Sequence, residues 1–332
     1  LMSTRLLSVR DLGITFLTDD GEIEVLRDVS FELNSGEVLG IVGESGCGKS
    51  MTALALIGLI PKPFGRISNG RILLEGEDLA VASEKRLRQV RGNDISMVFQ
   101  EPMTSLNPVF TVGHQISETL RAHFDMSSRE TWSRAIEMLK LVGIPSPEKR
   151  ANEYPHQLSG GMRQRVMIAI ALVCEPKLLI ADEPTTALDV TVQAEILQLF
   201  RELQEKTGTA IILITHDIGV VAEMADRVMV MYAGKVVETG TARDFVYDPM
   251  HPYTHGLISC VPKLVHNPSY DPAPLLEIPG VVPSLRELKR TGCPFAPRCK
   301  NEIDKCRSAE PSLAEIADDH AVACWNRMET AW

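Results

Sequence analysis

Several things are missing from this sequence, and each absence removes a class of protein. No apolar run approaches the ~18 residues a helix needs to cross a bilayer; the longest candidates, 53–60 and 166–174, are about half that. Any membrane role must therefore come through a partner. The opening Met2-Ser3-Thr4-Arg5 lacks the apolar core and cleavage site of a secretory signal, which predicts a protein kept in the cytosol. No basic run marks a nucleic-acid contact, and the formal net charge of −10 argues against broad nucleic-acid binding. Internal repeats and low-complexity tracts are absent too. Cysteine is sparse until the end: Cys47, Cys174 and Cys260 stand alone, whereas Cys293, Cys299, Cys306 and Cys324 fall close together. In a reducing compartment such a group suggests metal or redox chemistry more than a disulfide framework.

What is present fits a soluble globular chain of 332 residues, 44% hydrophobic and 23% charged, long enough for one large domain or two smaller ones. Partial alternation predicts β segments at 6–17 and 25–33, separated by the turn Thr18-Asp19-Asp20-Gly21. After the turn Asn34-Ser35-Gly36-Glu37 comes the apolar run 38–42. Further strands are expected at 71–75, 95–100, 178–181, 210–215, 227–232 and 235–238, with helices at 163–173 and 190–206. Strands alternating with helices predict an α/β layered fold with a largely parallel sheet. Between about 101 and 157 the strand signals vanish, and 112–123 and 129–141 read as amphipathic helices inserted in the α/β core. Beyond about Gly240, eleven of the twenty prolines crowd between Pro249 and Pro311, so long helices and central strands are not expected there.

The rest of the chain is organised around Gly43-Glu44-Ser45-Gly46-Cys47-Gly48-Lys49-Ser50, set between the run 38–42 and a helix-compatible stretch at 51–60. This is the G-x-x-x-x-G-K-[ST] spacing in its setting of strand, loop and helix. Glycines let successive N–H groups turn inward, and the helix start adds donors and a positive dipole end. Lys49 is placed to reach the β- and γ-phosphates of a nucleoside triphosphate, and the Ser50 hydroxyl to sit on Mg²⁺. Cys47 lies inside this loop beside Lys49. Either its thiol is activated by the helix start, or it is a small residue at a tolerant position, which is the simpler reading. The run Leu178-Leu179-Ile180-Ala181 ends in Asp182-Glu183, 132 positions after Ser50. That places Asp182 to hold Mg²⁺ through water and Glu183 to act as general base on the attacking water. Leu158-Ser159-Gly160-Gly161-Met162-Arg163-Gln164 opens a second glycine-rich helix, with Ser159 suited to cap it. One nucleotide has little need of two such helix starts, which hints at a site completed by another subunit.

Together, 43–50, Ser159-Gly160-Gly161-Met162-Arg163-Gln164 and Asp182-Glu183 resemble the nucleotide-binding domain of an ABC transporter. Gln100 is similar to the Q-loop glutamine that senses Mg²⁺, water and the membrane partner; Ala187-Leu188-Asp189 is similar to the D-loop, and His216 to the switch histidine. Phe16, 27 positions before Gly43, resembles the aromatic that stacks on adenine. The resemblance implies ATP and Mg²⁺ held by Phe16, Gly43, Ser45, Gly46, Cys47, Gly48, Lys49, Ser50, Met51, Gln100 and Asp182. Hydrolysis would be supported by Glu183, His216 and Gln100. It implies a head-to-tail dimer, in which Ser159, Gly160, Gly161 and Gln164 contact ATP held mainly by the partner subunit, with Asp189 in the D-loop.

The resemblance narrows further. Gln100-Glu101-Pro102-Met103-Thr104-Ser105-Leu106-Asn107-Pro108, Tyr154-Pro155-His156-Gln157, His251-Pro252-Tyr253-Thr254 and Gly292-Cys293-Pro294-Phe295-Ala296-Pro297-Arg298-Cys299 look like the dipeptide/oligopeptide importer branch, nearest its D-type ATP-binding subunits. This implies an ATPase domain at 1–240, with a helical subdomain near 101–157 that receives a coupling helix, and a C-terminal extension at 241–332. It also implies a second ATPase subunit, often a paralogue, two transmembrane permeases and an extracytoplasmic binding protein. The chain would sit peripherally at the cytoplasmic face of the inner membrane. The four cysteines are spaced C-x5-C-x6-C-x17-C, without the tight C-x2–4-C pair usual for structural zinc. Iron–sulfur ligation, zinc and metal-free thiols all stay open on spacing alone; the resemblance implies a [4Fe–4S] cluster on Cys293, Cys299, Cys306 and Cys324. Alternatives in function are an importer of nickel or another small solute, and a soluble ABC ATPase acting on ribosomes or DNA. The latter usually has two cassettes or a long coiled coil, and neither pattern is found here.

Overall fold

The computed structural model describes residues 4–100, 105–186, 189–261, 277–284 and 291–328. Two sheets form, where the sequence pattern led us to expect one largely parallel sheet. β1 (Arg5–Thr18) and β2 (Gly21–Asn34) fold back on each other through the predicted turn and pair antiparallel, Arg5 opposite Asn34 and Thr18 opposite Gly21. β4 (Gly65–Leu74) takes the other side of β1, and β5 (Glu77–Asp78) closes a four-stranded antiparallel sheet in the order β2-β1-β4-β5.

The second sheet contains β3 (Val38–Val42), β6 (Ile95–Val98), β7 (Leu178–Asp182), β8 (Ala210–Ile214), β9 (Arg227–Tyr232), β10 (Lys235–Thr241), β11 (Ala314–Ala317) and β12 (His320–Val322). Their order is β11-β12-β10-β9-β3-β8-β7-β6, with the segment from β9 to β6 parallel and the rest antiparallel. β3, β7 and β8 are buried at every position, so they read as unbroken apolar runs rather than alternating ones. One apolar cluster, including Leu26, Ile41, Ile72 and Ile180, fills the space between the sheets. The parallel order puts the C-terminal ends of β3, β8, β7 and β6 side by side, the edge where open α/β sheets bind ligands.

Between β6 and β7 the described residues are helical. Helices Val112–His123 and Ser128–Leu141 lie within a residue of the predicted bounds, and the second starts with a capping box between Ser127 and Glu130. Ile116, Leu120, Met138 and Leu139 turn inward against Val166 and Phe200. The expected segment from Glu101 to Thr104 lies outside the described residues. Among those that are described, no helix is long and apolar enough to cross a membrane.

Among the described residues the proline-rich end has only short helices, including Ala242–Tyr247, Pro252–Ser259 and Asp304–Ser308, and β11 and β12 join the sheet at its outer end, as proline permits. It does not stand apart, though. Tyr253 and Phe295 pack with Val42, Val230 and Tyr232 of the sheet in one cluster. Burial of each such side chain contributes on the order of 1.5–3 kcal/mol. The composition shift near Gly240 is a change of chemistry across a shared core.

Candidate active site

The turn after β3 places the phosphate loop at the binding edge of the sheet. Two of its glycines are sterically required. A Cβ on Gly43 would lie 2.3 Å from the Met231 carbonyl oxygen, and one on Gly48, at φ 109°, would lie 2.5 Å from Leu26 Cδ2. Gly48 starts helix Lys49–Leu56, whose first turn has no side-chain cap and no acidic residue, so its N–H groups are left for an anion. Lys49 is 5% exposed and donates from Nζ to the carbonyls of Gly43 at 2.8 Å and Glu44 at 3.1 Å, which holds its charge in the mouth of the loop. Ser45, Gly46 and Ser50 are exposed, and Met51 is half-buried at the start of the helix.

Cys47 is 1% exposed, with Sγ 3.9 Å from Lys49 Nζ. Burial raises its pKa despite the neighbouring ammonium. A buried, protonated thiol is a poor nucleophile, so the activated-thiol reading gives way to the packing one.

At the end of β7, Asp182 is 5% exposed, and burial raises its pKa against a hydrogen bond from the Ser50 hydroxyl. Its Oδ1 is buried without a hydrogen-bond partner. A hard cation takes carboxylate and hydroxyl oxygens together, so this orphaned oxygen and its Ser50 neighbour fit Mg²⁺. Glu183 follows at φ 48°, a conformation costly outside glycine, and its N–H donates to the Ile214 carbonyl at 2.8 Å. The turn swings its carboxylate to meet residues from the two flanking strands. Gln100, beyond β6, donates from Nε2 to Glu183 Oε2 at 2.8 Å, and His216, beyond β8, brings Nδ1 within 3.5 Å of Oε1. Residues 83 and 33 positions away in sequence thus converge on one carboxylate, because β6, β7 and β8 are adjacent.

The second glycine-rich helix start faces outward. Ser159 caps helix Gly160–Leu172 by accepting from the Met162 N–H, and both Ser159 and Gly160 are exposed. A Cβ on Gly160 would meet nothing within 4 Å, whereas one on Gly161 would touch Val192 at 3.1 Å. Gln164 does not share that surface. It is 2% exposed and donates to the Pro184 carbonyl at 2.5 Å, tying this helix to the turn after Glu183. Asp189 is exposed and caps helix Val190–Thr207 at the Val192 N–H; Ala187 and Leu188 lie outside the described residues. Phe16 is half-buried on β1, its ring tip where a Cβ of Gly65 would come to 2.8 Å.

The four late cysteines share a neighbourhood. The Cys293 N–H donates to the Cys306 carbonyl at 2.7 Å, Cys293 and Cys299 pack against the Tyr253–Phe295 cluster, and Cys324 lies within electrostatic reach of the other three. Burial pushes Cys293 and Cys324 up to about 11 and also raises Cys299. Among the described residues no three His, Cys, Asp or Glu side chains are arranged to hold a single metal ion.

Two features were beyond sequence reasoning. Thr186 donates to Glu183 Oε2 at 3.0 Å, and nothing in a threonine three residues on distinguishes it in advance. Glu44, at a variable position of the loop, is bound by Tyr253 and Arg298 from the far end of the chain. Its separation of 209 and 254 positions from those residues leaves no local signal.

Comparison with known proteins agrees with this geometry. A family model described as ABC transporter matches residues 26–186, and one described as the C-terminal region of oligopeptide/dipeptide transporters matches residues 237–306. The chain is 52% identical to the dipeptide transport ATP-binding protein DppD of Bacillus subtilis, covering 98% of this chain and 96% of that one. It is 50% identical to the oligopeptide transport ATP-binding protein OppD of Salmonella typhimurium, covering 98% and 94%. Among solved structures, the dimeric ATP-binding cassette MJ0796 in a post-hydrolysis state with ADP and Pi superposes with a TM-score of 0.65 at 30% identity, over 72% of this chain and 99% of that one. The chain is thus an ABC-type ATPase, and it belongs to the dipeptide/oligopeptide branch of the ABC transporter ATP-binding proteins.

Proposed function

We propose that this chain energises the import of dipeptides or oligopeptides by hydrolysing ATP at the β3–β8–β7–β6 edge. The observation that carries the hydrolytic half is the meeting of Gln100, Thr186 and His216 on the Glu183 carboxylate. Lys49 and the uncapped first-turn N–H groups bind the phosphates, with Ser45, Gly46, Gly48 and Met51 shaping the loop and Phe16 taking the adenine. Ser50, Asp182 and Gln100 hold Mg²⁺, which when bound neutralises developing charge on the phosphates. Glu183 orients and deprotonates the attacking water, and His216 fixes the carboxylate and the γ-phosphate end of the site. Ser159, Gly160 and Gly161 contact the nucleotide of a second ATPase subunit, with Asp189 beside that interface. Gln164 acts differently, linking the signature helix to the turn after Glu183. The similarity of nearly the whole chain to peptide transport subunits, extension included, supports the cargo class.

On this reading 1–240 is the ATPase domain, with 101–157 its permease-facing helical subdomain, and 241–332 is the extension. The partners are a second, paralogous ATPase subunit, two permeases and an extracytoplasmic binding protein, and the chain sits at the cytoplasmic face of the inner membrane. Cys293, Cys299, Cys306 and Cys324 ligate a [4Fe–4S] cluster, supported by their shared neighbourhood. Anaerobically purified protein should then contain about four iron and four acid-labile sulfide per chain; stoichiometric zinc without iron decides against it. The import reading is tested by ATP turnover of the chain co-purified with its membrane partners. Stimulation by peptide-loaded binding protein, but not by the empty or nickel-loaded form, is expected. Stimulation by nickel alone, or co-purification with ribosomes or DNA in place of permeases, overturns it.

A further inference from the structure

The phosphate loop is gripped on two sides. On one, the Gly234 N–H, in the turn between β9 and β10, donates to the Cys47 carbonyl at 2.9 Å. The other grip comes from the extension. The Tyr253 hydroxyl accepts from the Glu44 N–H at 2.8 Å. Arg298 donates from Nη1 to Glu44 Oε2 at 2.6 Å and from Nη2 to Oε1 at 2.9 Å, a two-pronged pairing that fixes geometry as well as charge.

Neither residue of the extension is free to drift. Tyr253 is fully buried, edge-on to Tyr232 with centroids 4.8 Å apart. The Arg298 side chain is 4% exposed, donates from Nε to the Pro279 carbonyl at 2.9 Å, and lies 5.9 Å from the Tyr232 ring centroid. Glu44 is therefore bound at three points: its N–H by Tyr253, its carboxylate by Arg298, and its carbonyl by Lys49. A buried ion pair adds little net stability, so its consequence here is positional. It sets where the first turn of the loop lies, and with it where Lys49 is held.

We propose that Arg298 and Tyr253 are positioning residues of the ATP site, acting through Glu44, so that the C-terminal extension completes the phosphate loop from behind. Arg298 lies on the turn between Cys293 and Cys299, so whatever bonds those cysteines also steadies the contact. The proposal rests on ATP binding at the loop and is independent of the cargo. Steady-state ATPase kinetics of the assembled transporter test it, with Arg298→Met, Glu44→Gln, their double variant and Tyr253→Phe. A lost charge-assisted hydrogen bond predicts that Arg298→Met raises KM for ATP by about tenfold, with a smaller change in kcat. Tyr253→Phe keeps the ring and its packing and should raise KM by about threefold. The double variant should be no worse than Arg298→Met, because both changes remove one contact. Unchanged KM in both Arg298→Met and Tyr253→Phe overturns the proposal, as do fully additive effects of Arg298→Met and Glu44→Gln. Wild type in the same preparation is the reference, so failed stimulation by peptide would count against the cargo and leave this contact standing or falling on its own KM values.

Discussion

Two helices in this molecule start beside glycine, one at Lys49 without a side-chain cap and one at Gly160 capped by Ser159, and they sit in opposite circumstances. The one at Lys49 is enclosed: a buried lysine, the Asp182 carboxylate, the Met231 carbonyl and the extension surround it. The one at Gly160 is open, with Ser159 and Gly160 exposed and nothing near a Cβ at Gly160. Both carry a dipole of the same sign. A helix start becomes a site through what is packed around it, and the open one has nothing packed around Gly160.

The sharpest way to break this comparison is to disable the enclosed side. Glu183→Gln should leave ATP binding intact and lower turnover by about 10²–10⁴-fold, the usual worth of a general base; near-normal turnover would reassign that role. On the open side, Gly160→Asp puts a negative charge at a helix start, which favours the isolated helix. Its melting temperature should hold, while, on the proposed dimer arrangement, ATPase activity falls by about 10²-fold as the carboxylate meets the partner's phosphates. A melting temperature that falls with activity would make Gly160 an ordinary structural glycine. The mirror experiment is Gly48→Ala, where positive φ and the Leu26 contact predict a loss of about 1–3 kcal/mol in a chemical-denaturation curve.

Acid should loosen the enclosed side from behind. His251 caps the helix bearing Tyr253, and burial pushes its pKa down to about 4, against the nearby Glu238. The folded state thus favours neutral imidazole: the stability is fully present above the ordinary value near 6.5 and is lost as pH falls toward 4. Between pH 6.5 and pH 5 about 2 kcal/mol should go. His320, raised by its hydrogen bond to Glu238, has the opposite sign, losing its contribution as pH rises. Comparing wild type with His251→Asn by denaturation at each pH isolates the first effect, since asparagine keeps a capping acceptor but cannot charge. The smallest effect concerns Cys47. Reagents that label accessible thiols should leave it unmodified and activity unchanged; rapid, ATP-protected inactivation would show that the loop opens.

Much of the site was legible because its chemistry is local. The glycine spacing before Lys49-Ser50, the apolar run ending in Asp182-Glu183, and the serine cap before Gly160-Gly161 each encode a backbone geometry within a few residues. Strand identities at 178–182 and 210–214 followed from continuous apolar runs, and the helices after Val112 and Ser128 from their periodicity. The separate antiparallel sheet was not legible, because alternation in β1 and β2 does not say which strands they pair with. The inward turn of Gln164 was equally hidden, since a glutamine on a helix does not announce its acceptor.

By itself the sequence determined which backbone segments form glycine-rich helix starts, which carboxylates stand at strand ends, and which family the chain resembles. Those are properties of short windows, where sterics and hydrogen bonding act between neighbours. Only the tertiary structure decided that Gln100 and His216 close on Glu183, that Cys47 is buried, and that Arg298 and Tyr253 reach back to Glu44. Strand order and the packing of a shared core bring these groups together, and neither is written in any one stretch of the chain.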